Sequence, residues 1–277
     1  MSKTTPTLRT RVGHSEWGDN RFRGYSVAQQ LVGRETATGM LVLAIAGKRI
    51  DQNGCAMLDD LATVMAVADP RIWPLKLVRV TSAYGGCLAA VAAATITLEG
   101  ALVGHASTGR AAAVLVDLRE RLLTNAAPGE NASDLAIETE CRHLLAAGTR
   151  TVGFGVPFRQ RDERVDMLAA RVAARGRADL PYWQLFVRVT ATFRRIRRLE
   201  ANIGLAAAAV CLDMGFSLGH IGPLVTALGA SDLWCNAVEG SEQMPPSLQT
   251  LPTDCVRYVG PPSRVSPRAS RGRPEND

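Results

Sequence analysis

The segment 153–164, Gly-Phe-Gly-Val-Pro-Phe-Arg-Gln-Arg-Asp-Glu-Arg, combines the residue types in this chain that are best suited to binding an anion. Gly153 and Gly155 permit a tight backbone turn that can approach another group closely. Three arginines and two acids follow within nine residues of Gly155, and a guanidinium group binds a carboxylate or a phosphate through two parallel hydrogen bonds. The segment therefore predicts a tight turn beside a site for an anionic ligand.

The elements that must position this segment are predicted to be helices. Aromatic residues make up only 5% of the chain, and alanine is frequent in runs such as 89–94 and 206–209. Small side chains let helices pack closely, so we predict an α-helical protein with few strands. The helices are expected over residues 27–32, 36–46, 57–67, 75–82, 87–99, 111–123, 133–145, 164–175, 181–200, 205–214 and 220–239.

Two of these helices, 87–99 and 205–214, are almost continuously apolar. We expect the helix at 87–99 to be central and buried on most sides. Together the two helices leave more hydrophobic surface than one subunit is expected to cover, which predicts a dimer with a helical interface. Residues 1–20 show no clear period, so they predict either an arm that becomes ordered on docking or a short hairpin.

Composition excludes several classes of protein. No apolar run could span a bilayer and the N-terminus lacks a signal-peptide core, so we expect a soluble, cytoplasmic protein. The six cysteines form no Cys-x-x-Cys pair, which favours buried free thiols and predicts no metal site. The net charge is +6, but the arginine clusters at 194–198 and 264–273 lack the interleaved aromatics typical of nucleic-acid binding. The second cluster lies in a Pro/Ser-rich tail that we expect to be disordered.

Three segments resemble the citrate synthase superfamily, which includes citryl-CoA lyases. They are Leu-Glu-Gly-Ala-Leu-Val-Gly-His-Ala at 98–106, Gly-Phe-Gly at 153–155 with Asp-Glu-Arg at 162–164, and Ala-Asn-Ile-Gly at 201–204 with Gly-Phe at 215–216. The resemblance extends from Arg-Gly-Tyr at 23–25 to Tyr-Val-Gly-Pro at 258–261. It implies an all-α fold in which a large helical domain, 1–153 and 246–277, carries a smaller inserted helical domain, 154–245. It also implies a homodimer.

The residues that carry the family's chemistry are replaced in this sequence. The histidine that stabilises the enol of the acyl thioester falls on Val103, the histidine that polarises the oxo-acid carbonyl on Val156, and the aspartate that removes the α-proton on Gly204. None of these three side chains can transfer a proton. The family's substrate-binding histidine falls at or beside Asp69, and one of its carboxylate-binding arginines falls on Gly229.

Other polar residues at the matching segments are the candidates for altered chemistry. His105 lies two residues beyond Val103, so we propose His105, Asp69 and Asp162 as catalytic residues, with a loop histidine that merely lines a pocket as the alternative for His105. Arg164 matches an arginine that binds the substrate carboxylate in the family, although a salt bridge to Asp162 or Asp166 would also account for it.

The resemblance also implies residues that bind coenzyme A. These are the turn glycines Gly153 and Gly155, and basic residues near the coenzyme A phosphates, namely Arg159, Arg161, Arg194 and Arg195. A solvated charged face is the alternative for the arginines. No covalently bound cofactor is predicted, and a coenzyme A thioester enters only as a substrate.

These observations predict an enzyme similar to citrate synthase that acts on an acyl thioester or a related carboxylated substrate. It would form or break a carbon–carbon bond by a mechanism that the family does not share. The alternative is a non-catalytic homologue that serves as a ligand-binding or regulatory subunit, since a fold alone does not specify a function.

Overall fold

The computed structural model describes residues 8–100, 107–124, 132–146, 152–156, 160–243, 253–255 and 257–262, with residues 99, 100 and 253 described by their backbone only. The chain divides into a body, 1–243, and a C-terminal unit, 244–277. The described part of the C-terminal unit contains a short 3₁₀ helix, Thr253–Cys255, and a segment in which the Tyr258 hydroxyl donates to the carbonyl of Pro261 (2.8 Å). The predicted disordered tail lies outside the described residues.

The body begins with a small antiparallel sheet. Its strands are β1 (Gly13–Glu16), β2 (Asp19–Phe22) and β3 (Tyr25–Ser26), in the order β1-β2-β3. A π-helical turn, Val27–Leu31, follows directly, and the Ser26 side chain accepts a hydrogen bond from Gln29 N. Within the described part of 1–20, the hairpin alternative is confirmed.

Helices make up the rest of the described body, which confirms the predicted all-α class. They are α1 (Ala37–Ala46), α2 (Gln52–Met65), α3 (Trp73–Gly85), α4 (Cys87–Gly100), α5 (Ser107–Thr124), α6 (Asp134–Ala146), α7 (Glu163–Ala174), α8 (Pro181–Arg197), α9 (Ile203–Asp213), α10 (Leu218–Leu228) and α11 (Ala230–Ser241). The boundary of the inserted domain at 154–245 stays a prediction.

Several predicted helices differ from the structure, among them 27–32, which is a π-helical turn. Two of the differences have local reasons. Helix α2 begins five residues earlier than the predicted residue 57, because the Asp51 carboxylate accepts a hydrogen bond from Gly54 N and caps the helix there. The single helix predicted over 220–239 is two helices, α10 and α11, which meet at Gly229.

Helix α9 is the centre of the main core. All of its residues from 203 to 212 are buried, and it packs against α5, α7 and α8. Its C-terminal end is fixed by Lys48, whose Nζ donates to the carbonyls of Met214 and Gly215 at 2.9 Å each. Because the chain itself covers α9, the prediction that residues 205–214 contribute to a subunit interface is wrong.

Helix α4 lies in a second, smaller hydrophobic cluster formed with α3 and α11. The residues of this outer cluster are Leu75, Val78, Ala90, Ala94, Leu98, Leu233 and Ala237. The opposite face of α4 is open, since Leu88 is 77% and Ile96 is 73% exposed. The prediction that this helix is buried on most sides is therefore wrong for the single chain.

Two further expectations concern membranes and thiols. Among the described residues, no helix is long and apolar enough to cross a membrane, and no group of side chains could hold a metal ion. The six cysteines are free: Cys55, Cys141 and Cys211 are buried, Cys87 is partly buried, and Cys235 and Cys255 are exposed. The expectation of buried thiols therefore holds for half of them.

Candidate active site

The glycine turn at 153–155 is fastened to the start of α9. Gly155 N donates to the carbonyl of Glu200 (2.8 Å), and Asn202 N donates to the carbonyl of Gly153 (2.9 Å). The Asn202 side chain caps α9 and also donates from Nδ2 to the carbonyl of Gly155 (3.0 Å). Gly153 has a φ of 93° and would place a Cβ 2.8 Å from Leu205 Cβ, so only glycine fits. The predicted tight turn is confirmed.

Asp162 joins the start of α7 to the start of α9. Its carboxylate caps α7 and accepts two hydrogen bonds from the Arg164 guanidinium, Nε to Oδ1 at 2.7 Å and Nη2 to Oδ2 at 2.9 Å. Oδ2 also accepts from the backbone N–H of Ile203, the first residue of α9, at 2.8 Å. The Asp162 side chain is fully buried, so this contact holds two helices and one arginine together.

The electrostatic balance around Asp162 favours a charged carboxylate. Burial by itself raises the pKa of Asp162, but the hydrogen bonds from Arg164 and from Ile203 N, together with the positive charge of Arg164, lower the pKa below its ordinary value. A carboxylate in this state accepts hydrogen bonds and has no proton to donate. The geometry favours a structural use of Asp162, and its catalytic role stays a prediction.

Arg164 forms one of the two salt bridges that the sequence allowed, the one to Asp162. Its Nε and Nη2 face that carboxylate, whereas Nη1 has no partner among the described residues. The side chain is 21% exposed, so the guanidinium lies at the edge of the core rather than on the open surface. The free edge can take a second anion, which keeps ligand binding by Arg164 a prediction.

The other candidate arginines are paired with acids on the surface. Arg194 binds Glu200 through Nε and Nη2 (2.8 and 2.7 Å), and this hydrogen bonding lowers the pKa of Glu200. Arg161 pairs with Asp166, and Arg195 Nη2 lies 2.8 Å from Glu138 Oε2. These pairs agree with the solvated-face alternative, while phosphate binding stays a prediction. Arg159 lies outside the described residues.

Of the three proposed catalytic residues, the structure describes Asp69 and Asp162. Asp69 lies in the loop between α2 and α3, where its carboxylate accepts from Arg71 N (2.9 Å) and Arg71 Nε (2.8 Å). The same loop is held against α11, because Asp232 Oδ2 accepts from Val67 N (3.1 Å). The catalytic role of Asp69 stays a prediction. His105 and Val103 lie outside the described residues.

Comparison with known proteins identifies the fold. No family model matches the sequence, and no curated protein does. The structure is similar to citryl-CoA lyase from Hydrogenobacter thermophilus, with a TM-score of 0.75 and 16% identity over 96% of this chain and 100% of that one. The chain has the citrate synthase fold.

Two other solved structures with this fold differ in length. ATP citrate lyase of Methanosaeta concilii in complex with (3S)-citryl-CoA gives a TM-score of 0.73 and 15% identity over 94% of this chain, which spans 43% of that protein. Citrate synthase from Thermoplasma acidophilum, in complex with carboxymethyl coenzyme A and oxaloacetate, gives 0.59 and 14% identity, over 83% of this chain and 58% of that one.

Within this fold Gly204 is buried, and a side chain there would press on Asn202 while making only ordinary contacts with the start of α5. A Cβ on Gly204 would lie 3.1 Å from Asn202 Oδ1 and 3.7 Å from the hydroxyl oxygens of Ser107 and Thr108, at the start of α5. Sequence analysis assigned no role to Asn202 or to these hydroxyls. The asparagine before an apolar helix is an N-cap signal that could have identified Asn202, whereas the α5 contact is visible only in three dimensions.

Proposed function

We propose that this protein is a citrate-synthase-like enzyme that forms or breaks a carbon–carbon bond next to an acyl thioester. The observation that carries the proposal is Arg164, which a buried carboxylate holds at the edge of the core in a chain with this fold. Its Nη1 has no partner among the described residues. A guanidinium fixed in this way is suited to a substrate carboxylate.

The ligands of the similar proteins support a substrate class. The ATP citrate lyase structures contain citryl-CoA, or citrate and coenzyme A. We therefore propose a carboxylated acyl-CoA as the substrate of this chain. Arg164 would bind a carboxylate, and Arg159, Arg161, Arg194 and Arg195 would lie near the phosphates of coenzyme A.

Proton transfer has to come from residues other than those the family uses. Cleavage of such a substrate breaks the bond between the hydroxyl-bearing carbon and the carbon next to the thioester. The hydroxyl proton passes to a base, and the enolate that remains takes up a proton. We propose His105 for this transfer and Asp69 as the second candidate, because Val156 and Gly204 carry no group that binds a proton.

A product assay tests this proposal. Purified protein is incubated with citryl-CoA and oxaloacetate is measured; separately, acetyl-CoA and oxaloacetate are supplied and released thiol is measured. We expect cleavage that Arg164→Ala abolishes and Arg142→Ala, an exposed surface arginine paired with Glu138, leaves unchanged. We expect no citrate synthesis above background, since Val103, Val156 and Gly204 replace the family's catalytic groups. Wild-type protein without turnover in either direction would contradict the enzyme proposal.

The second candidate is a non-catalytic subunit that binds the same ligands. The buried Gly204 favours it, because glycine supplies no group that removes a proton at a position where the resemblance implies a base. Binding of citrate or coenzyme A without turnover would identify this function.

We also propose that the protein is a homodimer. Residues 87–98 of α4 contain no charge, and the face that carries Leu88, Ala92 and Ile96 is exposed. A helix that is apolar on all sides is normally covered. Analytical ultracentrifugation should show a species near twice 29.6 kDa that Ala92→Glu converts to monomer, whereas Ala191→Glu on the exposed face of α8 should not. A wild-type monomer at micromolar concentration would contradict this proposal.

A further inference from the structure

We propose that Asp162 is the positioning residue of the site, which holds Arg164 in a single orientation and couples it to the first turn of α9. This inference rests on the proposed function, since it concerns how the proposed ligand-binding arginine is presented. It differs from the sequence-based assignment, in which Asp162 took part in the chemistry itself.

The hydrogen bonds of Asp162 fix the orientation of its carboxylate. Oδ1 accepts from Arg164 Nε and from Arg164 N (3.3 Å), and Oδ2 accepts from Arg164 Nη2 and from Ile203 N. Each carboxylate oxygen therefore has two donors, and the side chain is completely buried. Rotation of either side chain would leave a buried charged group without hydrogen bonds, which is strongly unfavourable.

This arrangement determines which part of Arg164 can reach a ligand. The Nε–Nη2 edge is occupied by Asp162, so only the edge that includes Nη1 remains. A carboxylate would therefore approach Arg164 from its end, on the side away from Asp162. The free rotation that an exposed arginine retains is lost, so less entropy has to be lost when a ligand binds.

Two helix N-termini add positive partial charge around the ion pair. The charge of Asp162 is balanced by that of Arg164, and both α7 and α9 direct their N-terminal ends at the Asp162 carboxylate. Each helix N-terminus carries roughly half a positive charge. Of the acids in the first turn of α7, Asp166 is paired with Arg161, whereas Glu163 adds a negative charge that offsets part of this contribution.

The same contact couples Arg164 to the glycine turn. Ile203 N is held by Asp162, and the preceding residue, Asn202, holds the backbone of Gly153 and Gly155. A displacement of Arg164 by a ligand would therefore be transmitted through Asp162 to the start of α9 and to the turn.

Asp162→Asn tests the inference because asparagine keeps the size and the capping ability of the side chain. The amide replaces one acceptor oxygen with a donor, which then faces Arg164 or Ile203 N. The matched control is Asp60→Asn, which removes the carboxylate that binds Arg171 in α7 and Arg175 at the C-cap of the same helix. Citrate is titrated calorimetrically into each protein under conditions where it is folded.

We expect Asp162→Asn to weaken citrate binding about 10- to 100-fold and Asp60→Asn to leave it unchanged. When Arg164→Lys is already present, adding Asp162→Asn should weaken citrate binding no further. Asp162 affects binding by orienting the Arg164 guanidinium, which this variant lacks. Equal losses in Asp162→Asn and Asp60→Asn would mean that loosening of α7 accounts for the effect and would overturn the inference.

A second readout does not depend on a ligand. Phenylglyoxal modifies accessible guanidinium groups, and the rate at Arg164 is followed by mass spectrometry, with Arg161 as an exposed internal reference. We expect faster modification of Arg164 in Asp162→Asn, with the rate at Arg161 unchanged. If wild-type protein binds neither citrate nor citryl-CoA, the proposed function fails, and an unchanged rate at Arg164 would separately overturn the positioning role.

Ile203→Pro serves if Asp162→Asn does not fold. Proline is favoured at the first position of a helix but has no N–H, so this variant removes the donor from α9 to Asp162, together with part of the buried Ile203 side chain. We expect faster modification of Arg164 here as well. An unchanged rate would contradict the coupling between Asp162 and α9.

Discussion

The Asp162–Arg164 pair and the Arg194–Glu200 pair have the same bidentate geometry in different surroundings. The side chains of Arg164 and Asp162 are 21% and 0% exposed, whereas those of Arg194 and Glu200 are 55% and 23% exposed. Water screens the second pair and competes for its hydrogen bonds, while the first pair also holds the N–H of Ile203 and thereby two helices. The hydrogen-bond geometry of an ion pair therefore does not predict how much the pair stabilises the fold. Its burial and its additional hydrogen-bond partner predict this better.

The largest expected effect comes from removing the buried acid. Asp162→Ala should lower the free energy of unfolding by about 3–5 kcal/mol, because it leaves Arg164 without its partner and removes the cap of α7. Urea unfolding followed by circular dichroism measures this change. A loss below about 1 kcal/mol would make the buried pair equivalent to a surface pair and would remove the contrast between them.

The pH dependence of stability sharpens the contrast. Burial raises the pKa of Asp162, but its hydrogen bonds and the charge of Arg164 lower it overall. A carboxylate with a lowered pKa in the folded state stabilises the protein above the ordinary aspartate pKa, about 3.9, and this contribution is lost as the pH falls through the lowered pKa. The difference in unfolding free energy between wild type and Asp162→Asn should therefore be constant near neutral pH and shrink in acid. A difference that grows as the pH falls would contradict the lowered pKa.

Asp213 provides an opposite case within the same titration. Burial raises the pKa of Asp213, although its carboxylate accepts hydrogen bonds from Tyr182 N and Trp183 N. A raised pKa contributes stability below the ordinary value, and this contribution is lost as the pH rises through the raised pKa. Wild-type stability should therefore fall as the pH rises from about 3.9 through the raised pKa of Asp213. Asp213→Asn should remove this part of the pH dependence of the unfolding free energy. The Asp162 and Asp213 variants should be measured in parallel.

The smallest expected effect is at the exposed pair. Arg194→Ala should change the free energy of unfolding by less than about 1 kcal/mol, and added salt should reduce the difference further. Thermal unfolding at low and high ionic strength gives both values. A loss as large as that of Asp162→Ala would show that the Arg194–Glu200 pair holds the turn at 153–155.

The sequence predicted the local contacts of this site better than its contacts between helices. Asp162 and Arg164 are two residues apart, so a salt bridge between them was foreseeable. The hydrogen bond from Ile203 N to Asp162 joins residues 41 positions apart and depends on how α7 and α9 pack, which no local pattern records. The site residues that local spacing could identify were therefore predicted, and the link between the helices was not.

Two apolar helices show the same limit at the level of the fold. Helices α4 and α9 are both rich in alanine, and both were correctly predicted as helices. Hydrophobic composition indicates that a helix will be covered but not what covers it. The chain itself buries α9, whereas the face of α4 around Leu88 and Ile96 is left open.

The central claim is that Arg164 binds a carboxylate through the edge that Asp162 leaves free. Calorimetric titration of citrate into wild type and Arg164→Lys tests it most directly, because lysine keeps a positive charge beside Asp162 but cannot reproduce the guanidinium edge. We expect a loss of about 2–4 kcal/mol in binding free energy with the protein still folded. Equal affinity in the two proteins would contradict the claim and put the anion site elsewhere.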